Sequence, residues 1–414
     1  MMRILYVSRL FSGLAEGIRD RRWDPRGVPT VYRLLEALDK SEHELRIVFT
    51  VKDDAVGWEG TEIQTFPIEG FGREITVIPQ RARLPAMFGR ARGYLREIDQ
   101  YRDIRRLRDD FAPDIAYFDR VNIYQAALLA RRTTVPVVWR VMGVPPAMHD
   151  MLDLGGPVAR LTRWAYRAPF AMVTCSRDGS GGEQWMDRAL APDTPRRMML
   201  NGVDIKDTTP LATDFKAQLE GPETKILFVA RLVEDKGCIE FVDAVSTALN
   251  AAPGRFRAII AGSGPLAGPM RERAQSAGHA DQFHFLGQLP HDEVLSLQRE
   301  CDIYVSLNRM CNLTNANLEA MRTGVCMIIP ASPGIRGIDV DTDELMPPDT
   351  IWRISDAGDV QGLSDALIQL DSEPDERNRR ARATFEQAAK FIPTWAERIG
   401  EEIEMLEQLG MTRN

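Results

Sequence analysis

The stretch KILFVARLVEDKG, residues 225 to 237, shows the pattern on which the fold prediction depends. Its first six residues form a nearly continuous apolar run, as in a strand buried on both faces of a parallel sheet. Polar residues and Gly237 follow at once, which is typical of a turn into a helix that crosses back over the sheet. Similar runs recur along the chain, separated by helix-length segments. We therefore expect an α/β fold with parallel sheets covered by helices.

The apolar runs form two series on either side of a polar segment, NGVDIKDTTPLATDF, which begins at Asn201 and is predicted to be a linker. A chain of 414 residues is also longer than one hydrophobic core usually serves. We therefore predict two doubly wound, Rossmann-like domains, 1–204 and 205–390. The amphipathic tail 391–414 is predicted to be a helix that packs back on the domains. The predicted strands are RILYVS, LRIVFT, DIAYF, VPVVWRV and AMVTCS in the first series, and KILFVA, FRAIIA, QFHFLG, DIYVSL and VCMIIP in the second.

Composition excludes several classes of function. The formal net charge of −8 argues against a protein that coats nucleic acid, so no nucleic-acid partner is expected. No apolar run approaches the ~20 residues that cross a bilayer, and the opening MMRILYVSRL leads directly into a strand, so a cytoplasmic location is expected. The five cysteines lack CxxC pairs and the five histidines are isolated, so free thiols and no metal site are expected.

One segment has an asymmetric charge. TVIPQRARLPAMFGRARGYLR, residues 76 to 96, contains five arginines and no acidic residue: Arg81, Arg83, Arg90, Arg92 and Arg96. One interpretation is a solvated loop and helix face. The other is a peripheral surface on the inner face of the membrane that meets anionic headgroups or a phosphate-bearing acceptor. In that case Leu84, Met87, Phe88 and Tyr94 would insert at the interface.

Polar residues follow the strands of the second series, where doubly wound domains bind ligands. Arg231 and Lys236 come directly after KILFVA, and two cations there suit a diphosphate. Glu319 is expected on the first turns of a helix that Gly324 ends, where a carboxylate could accept hydrogen bonds from a ribose diol. Taken alone, each of these residues is also common on an ordinary protein surface.

Two turns of the second series are weaker candidates. Gly262 lies in AGSGPL, a strand-to-helix turn without the full GxGxxG pattern. Gln288 and Leu289 follow QFHFLG, just before a helix expected to begin near His291, and their backbone groups could meet a base.

The order of the motifs resembles the C-terminal domain of the retaining family 4 glycosyltransferases of the GT-B fold. VARLVEDKG, AGSGPL, FLGQLPHDEV and NLEAMRTG each follow their own strand, and NGVD fits the linker. The resemblance covers the chain from Ser176 onward. It covers the first half only in outline, through the first strand, the turn at Arg26 and Gly27, and HELRIVF. It implies two domains facing each other across a cleft, with the nucleotide-sugar donor on the C-terminal side and a glycan or lipid-linked acceptor on the N-terminal side.

The resemblance also implies residue roles. Arg231 and Lys236 match the catalytic pair that holds the donor diphosphate, and Glu319 matches the second glutamate of a Glu-x7-Glu motif, which binds the ribose. Gly27 and Met142 fall at positions that approach the donor from the N-terminal domain. The backbone N–H groups expected to meet the donor are those of Leu313, Thr314, Asn315 and Ala316.

Three donor-side positions depart from the family pattern. Cys311 stands where the family has its first glutamate, and CNLT replaces EGFG. Met142 stands where many members have a histidine, for which His149 in an expected loop could substitute. The usual glycine pair after the first strand is reduced to Arg26 and Gly27.

An active member of this family would transfer the sugar with retention, through an oxocarbenium-like transition state, and without a metal or cofactor. The donor phosphate would help to deprotonate the acceptor hydroxyl, in the synthesis of a cell-surface polysaccharide or glycoconjugate. A nucleotide-sugar-binding partner or regulatory subunit without transfer activity is the alternative, favoured by Cys311 and Met142. A GT-B epimerase is disfavoured because no acid and base groups can be assigned.

Overall fold

In a computed structural model, the chain forms two compact units with one parallel-rich sheet each. Unit 1 comprises Met1–Ser176, Gly182–Met199 and the residues from Trp395 on; unit 2 comprises Arg177–Gly181 and Leu200–Thr394. The structure describes residues 1–52, 56–58, 60–81, 89–205, 216 and 219–411, without the side chains of 89–92.

The sheet of unit 1 has eight strands in the order β3-β4-β2-β1-β5-β6-β7-β8, all parallel except β3. These strands are β1 (Arg3–Arg9), β2 (Glu44–Thr50), β3 (Gln64–Ile68), β4 (Phe71–Ile78), β5 (Ile115–Asp119), β6 (Val137–Val141), β7 (Met172–Ser176) and β8 (Arg196–Met199). Its helices are α1 (Ser12–Arg19), α2 (Pro29–Asp39), α3 (Gly89–Phe111), α4 (Ile123–Arg132), α5 (Pro146–Asp153), α6 (Pro157–Tyr166) and α7 (Gly182–Ala189).

The sheet of unit 2 has six parallel strands in the order β11-β10-β9-β12-β13-β14. These are β9 (Thr224–Val229), β10 (Phe256–Ala261), β11 (Phe283–Gly287), β12 (Ile303–Val305), β13 (Cys326–Pro330) and β14 (Trp352–Ile354). Its helices are α8 (Cys238–Ala251), α9 (Ala267–Ser276), α10 (His291–Glu300), α11 (Asn315–Thr323), α12 (Val340–Leu345), α13 (Val360–Ser372) and α14 (Pro374–Ala388).

Each sheet is covered by apolar side chains on both faces, which explains the continuous apolar runs in the sequence. In β1 every residue from Ile4 to Ser8 is buried, and alternate residues enter different clusters: Ile4 and Tyr6 lie with α2, while Leu5 and Val7 lie with α3 and α4. The prediction of two doubly wound α/β domains is confirmed.

The final helix, α15 (Trp395–Met411), belongs to unit 1, where Trp395, Ile399 and Leu406 pack into the same cluster as α2. A fully buried ionic network fixes this helix to the sheet. Glu402 accepts a short hydrogen bond from the Tyr117 hydroxyl and lies 3.3 Å from a guanidinium nitrogen of Arg140 and 2.8 Å from one of Arg398.

Sequence analysis missed four strands, and the reason is visible in the structure. β3 and β4 form an antiparallel edge pair, and β8 and β14 are edge strands of four and three residues. The edge strands β3, β8 and β14 have short or mixed hydrophobic patterns because one side faces no neighbouring strand, whereas β4 lies between β3 and β2 and has the exposed residues Gly72 and Glu74 in its first half. The end of β4, Ile75 to Ile78, is buried, so the arginine-rich segment begins in the core rather than in a solvated loop.

The two units in the structure divide at 199/200 and 394/395, and the predicted domain boundaries are 204/205 and 390/391. Residues 177–181 associate with unit 2, which no sequence pattern indicated. Most of the expected linker, residues 206–215, lies outside the described residues. No helix in the described ranges is long and apolar enough to cross a membrane.

Candidate functional site

The turns after β9 and β10 pack directly on each other at the carboxyl edge of the unit 2 sheet. Gly262 has φ +142, and a Cβ there would collide with the carbonyl oxygen of Ala230. The amide of Leu232 donates to the Ser263 carbonyl at 2.9 Å. Gly262 is therefore required so that its turn can lie against the segment that carries Arg231. Its own amide donates to the carbonyl of Gly287, the last residue of β11, at 2.7 Å.

The two predicted diphosphate residues occupy different environments. Arg231 is exposed, whereas the Lys236 side chain is only 17% exposed and has its Nζ 3.5 Å from Asp235. The next residue, Gly237, has φ +65, and a Cβ there would collide with the Leu307 side chain. The Lys236 turn therefore lies against the segment that follows β12.

The loop after β12 leads into α11 through an N-cap. Thr314 accepts a hydrogen bond from the Asn317 amide, and the Asn317 side chain donates to the carbonyl of Asn312 at 3.1 Å. The helix ends as predicted at Gly324, which has φ +76. The N–H groups of Asn315 and residue 316 fall in the first turn of α11, where a helix has no internal acceptors for them.

Asp339 fixes the loop between β12 and α11 through hydrogen bonds to Asn312. Its two carboxylate oxygens accept from the backbone and side-chain nitrogens of Asn312, at 2.6 and 2.9 Å. Asp339 itself has φ +56, and its amide donates to the carbonyl of Gly179. Burial raises the pKa of Asp339 to about 6, although these hydrogen bonds lower it. The loop is thus held by a residue that sequence analysis did not single out.

The backbone amide of Leu313, predicted to meet the donor, has a partner in this structure. Its N–H donates to the carbonyl of Asp178 at 3.1 Å, and its side chain is fully buried. This amide already has an acceptor within unit 2, so it could meet a donor phosphate only if that bond opened. The predicted amides of Thr314, Asn315 and Ala316 lie just beyond, at the helix start.

Cys311, in place of the family's first glutamate, is a neutral thiol. Burial, and to a smaller extent the nearby Asp178, raise its pKa to about 12, against Lys236, which lowers it. The position therefore contributes neither charge nor a strong acceptor.

Glu319 lies on α11, is 8% exposed, and has a partner that the sequence did not reveal. His291, the first residue of α10, places Nε2 2.8 Å from Oε1 of Glu319. This hydrogen bond raises the pKa of His291. The FLGQLPHDEV motif contains the histidine, and the fold brings it to the predicted ribose carboxylate.

The remaining unit 2 candidates lie beside the Gly262 turn. Gln288 is exposed, and its side-chain oxygen is 3.5 Å from the Ser263 hydroxyl. Leu289 is half-buried and packs against the apolar cluster beneath α11. The NGVD segment also reaches this region, because the side-chain amide of Asn201 donates to Asn315 at 2.7 Å. In the described ranges no three His, Cys, Asp or Glu side chains are grouped to hold a metal ion.

The two candidates in unit 1 lie at the carboxyl edge of its own sheet. Gly27 has φ +84 in an open turn, which α1 supports through a 2.7 Å hydrogen bond from the Arg26 amide to the Gly13 carbonyl. Met142 directly follows β6 and packs against the cluster that contains α2. His149 was expected in a loop, and this prediction is wrong. It lies in α5, where it is only 2% exposed.

The arginine-rich segment is only partly described. Arg81 is committed to an internal ion pair, 2.5 Å from the buried carboxylate of Asp103. Arg83 lies outside the described residues, as do the side chains of Arg90 and Arg92. Arg96 is half-buried on α3.

Comparison with known proteins gives family matches over both halves. The family model for "Glycosyl transferases group 1" matches residues 212–387, and that for "Glycosyl transferase 4-like domain" matches residues 27–199. The 2-deoxystreptamine N-acetyl-D-glucosaminyltransferase of Streptomyces fradiae is 32% identical over 299 residues, 67% of each chain. The 2-deoxystreptamine glucosyltransferase of Streptomyces kanamyceticus is 31% identical over 112 residues, 27% of this chain and 28% of the relative.

Solved structures show the same fold at low sequence identity. Sucrose-phosphate synthase from Thermosynechococcus elongatus has a TM-score of 0.70 at 15% identity, with full coverage of both chains. Alr3699/HepE from Anabaena, solved with UDP and glucose, has a TM-score of 0.66 at 14% identity and covers 99% of this chain and 100% of its own. The predicted GT-B fold is therefore confirmed.

Proposed function

We propose that this chain, which belongs to the family 4 glycosyltransferases of the GT-B fold, transfers a sugar from a nucleotide-sugar donor to an acceptor hydroxyl with retention of anomeric configuration. One observation carries the proposal beyond the family: Arg231, Lys236, Glu319 and the start of α11 all lie at the carboxyl edge of the unit 2 sheet. Two cations suit the diphosphate, and the carboxylate suits the ribose diol.

The leaving group is the diphosphate, and its developing charge is the main electrostatic demand of the reaction. The Arg231 guanidinium can bind two phosphate oxygens in a fork, while the Lys236 ammonium acts as a point charge. The N-terminus of α11 adds the positive end of a helix dipole. Because these groups supply positive charge at the phosphates, we propose that transfer requires no metal or cofactor. Full activity in the presence of EDTA is the expected result, and metal-dependent activity would contradict it.

A direct test uses the full chain and a panel of UDP-, GDP-, ADP- and TDP-sugars. A donor at a hundred times its dissociation constant should raise the free energy of unfolding by ~2.7 kcal/mol. Transfer or donor hydrolysis is then measured for the donor that binds. A nucleotide sugar that stabilises the protein without transfer or hydrolysis would support the partner or regulatory role instead.

Arg231→Ala and Lys236→Ala should each raise the activation free energy of transfer by ~2.7 to 4 kcal/mol, because each removes a preorganised charge. The matched control is Arg299→Ala, an exposed arginine at the far end of α10. Near-normal turnover of both site variants would remove the diphosphate assignment. Retention is tested separately, from the anomeric configuration of the product by NMR, and an inverted product would contradict it.

Two acceptors are candidates for this chain. The first candidate is a growing polysaccharide or glycoconjugate on the cell surface. The second is a small aminocyclitol, favoured because both curated relatives are named for transfer to 2-deoxystreptamine. Turnover with soluble 2-deoxystreptamine, compared with lipid-linked oligosaccharide, separates the two.

A further inference from the structure

A cavity of about 530 Å³ is lined, among the described residues, by side chains and backbone of unit 1. This volume falls in the ~300–1,000 Å³ range of small-molecule sites. The lining comes from the first turns of α3, the start of α4 and the segment from the end of α5 to the start of α6: Gly93, Tyr94, Glu97, Tyr124, Met151 and residues 154–159. None of these positions has a role in the donor site described above.

The cavity lies at the ligand-binding edge of the sheet. α3 follows β4, α4 follows β5 and α5 follows β6, and these three strands run parallel within one sheet. The first turns of α3 and α4 and the segment that leads into α6 therefore meet at the carboxyl ends of the strands. Doubly wound domains bind ligands at that edge.

The walls are largely apolar, but two polar groups in the lining have no hydrogen-bond partner among the residues that the structure describes. Lys52 and Gln125 both hydrogen-bond Oε2 of Glu97, at 2.6 and 2.5 Å. Within the described part of the chain, neither Oε1 of Glu97 nor the Tyr94 hydroxyl has a hydrogen-bond partner. The Tyr124 hydroxyl, by contrast, is already bonded to Thr162 at 2.8 Å.

We propose that this cavity binds the ring of the acceptor, a cyclic polyol whose hydroxyl or amino groups hydrogen-bond Glu97 and Tyr94. The inference rests on the proposed function and names the part of the chain that recognises the acceptor. The ring's apolar face packs against Met151, Leu154 and the two tyrosines. Its polar edge satisfies the two groups that are otherwise unpaired.

The chemistry of the lining favours a ring over a lipid chain. A hydrocarbon chain in this space would cover Oε1 of Glu97 and the Tyr94 hydroxyl without pairing either, and an unsatisfied buried polar group is costly. A ring with donors on its edge pairs both. Glu97 is also held in place by Lys52, whose side chain is only 10% exposed. The position of Oε1 of Glu97 is therefore fixed before the ring binds.

Three glycines of the lining leave room for the ring. A Cβ at Gly93, Gly155 or Gly156 would meet no atom within 4 Å. Gly93 lies in α3 without a positive φ, so a larger residue can replace it without backbone strain. Leucine also has a higher helix propensity than glycine. Gly93→Leu therefore fills the cavity while keeping the fold.

The test measures binding of 2-deoxystreptamine, myo-inositol and glucosamine to the full chain by calorimetry, with and without UDP. At least one ring should bind the parent protein, and Gly93→Leu should weaken it at least about tenfold. Tyr94→Phe should weaken it about two- to tenfold, since it deletes one hydrogen bond. The matched control is Gly400→Leu in α15, another helical glycine whose Cβ would meet no atom within 4 Å. This control should bind as the parent does, every variant should keep the parent's UDP affinity, and no variant should melt below the parent, since leucine stabilises a helix relative to glycine.

Three results would overturn the inference: no ring binds, the ring binds Gly93→Leu as well as it binds the parent, or only decanoate binds and is lost in Gly93→Leu. The last result would assign the cavity to an alkyl chain. UDP binding in the same samples keeps the two proposals distinguishable. Binding of none of UDP, GDP, ADP and TDP to the parent would contradict the proposed donor site, while the measurements without nucleotide still decide what the cavity binds.

Discussion

Replacing Glu402 by glutamine should destabilise unit 1 without touching the donor site. The carboxylate is fully buried between the guanidinium groups of Arg140 and Arg398 and accepts from the Tyr117 hydroxyl. Removing one partner of a buried ionic group leaves uncompensated charge and costs about 3–5 kcal/mol. For a unit of this size, such a loss lowers the melting temperature by about 6–20 °C.

Tryptophan fluorescence reports mainly on the unfolding of unit 1, the unit that contains Glu402. Six of the seven tryptophans lie in unit 1, and only Trp352 lies in unit 2. A urea or thermal transition followed by fluorescence should therefore move for Glu402→Gln. The control, Glu404→Gln, removes an exposed carboxylate of the same helix and should shift stability by less than ~0.5 kcal/mol.

The pH dependence gives a second check. Burial raises the pKa of Glu402, but Arg140 and Arg398 outweigh it and leave the pKa lowered. The stabilisation is therefore present above the ordinary glutamate pKa of about 4.3 and is lost as the pH falls through the lowered pKa of the folded state. The gap between parent and Glu402→Gln should narrow in acid. Equal melting temperatures at pH 7, or a gap that widens in acid, would refute the reasoning.

The other predictions concern the donor loop and the arginine-rich segment. Cys311→Glu should shift the donor profile toward common hexoses, because it restores a hydrogen-bond acceptor; an unchanged profile and rate, beside a Cys311→Ser control, would mean that position 311 does not face the sugar. Burial raises the pKa of Asp339 to about 6, so folded unit 2 holds this proton more tightly than the unfolded chain, and the free energy of unfolding should fall as the pH rises from about 4 to about 6. Calorimetric scans should lose that slope in Asp339→Asn, and an identical slope would contradict the assignment. Replacing Arg83, Arg90 and Arg92 by glutamine should weaken the binding free energy to anionic vesicles by ~1 kcal/mol for each arginine at modest salt, as measured by sedimentation. Absent or salt-independent binding of the parent would contradict the membrane hypothesis.

The architecture and the core of the donor site could be predicted from the sequence because both depend on local patterns. Buried parallel strands produce continuous apolar runs, so ten strands were predicted, and the order of four motifs indicated the family. Arg231 and Lys236 could be singled out because they directly follow a strand whose carboxyl end is a ligand-binding edge. The end of the helix that carries Glu319 could be predicted from Gly324, whereas its N-cap, Thr314, is identified by the structure.

The remaining features depend on contacts between residues far apart in the chain, which no local pattern encodes. Asp339 reaches Asn312, and His291 reaches Glu319, only because parallel strands bring their loops to one edge. The amide of Leu313 is occupied because residues 177–181 join unit 2, a contact that spans more than a hundred residues of sequence. The tertiary structure likewise shows that burial raises the pKa of the Cys311 thiol and that His149 is a buried residue of α5. Sequence alone therefore determined which residues stand at the carboxyl ends of the strands, and the tertiary structure decided which of their polar groups already have partners and which remain to meet a substrate.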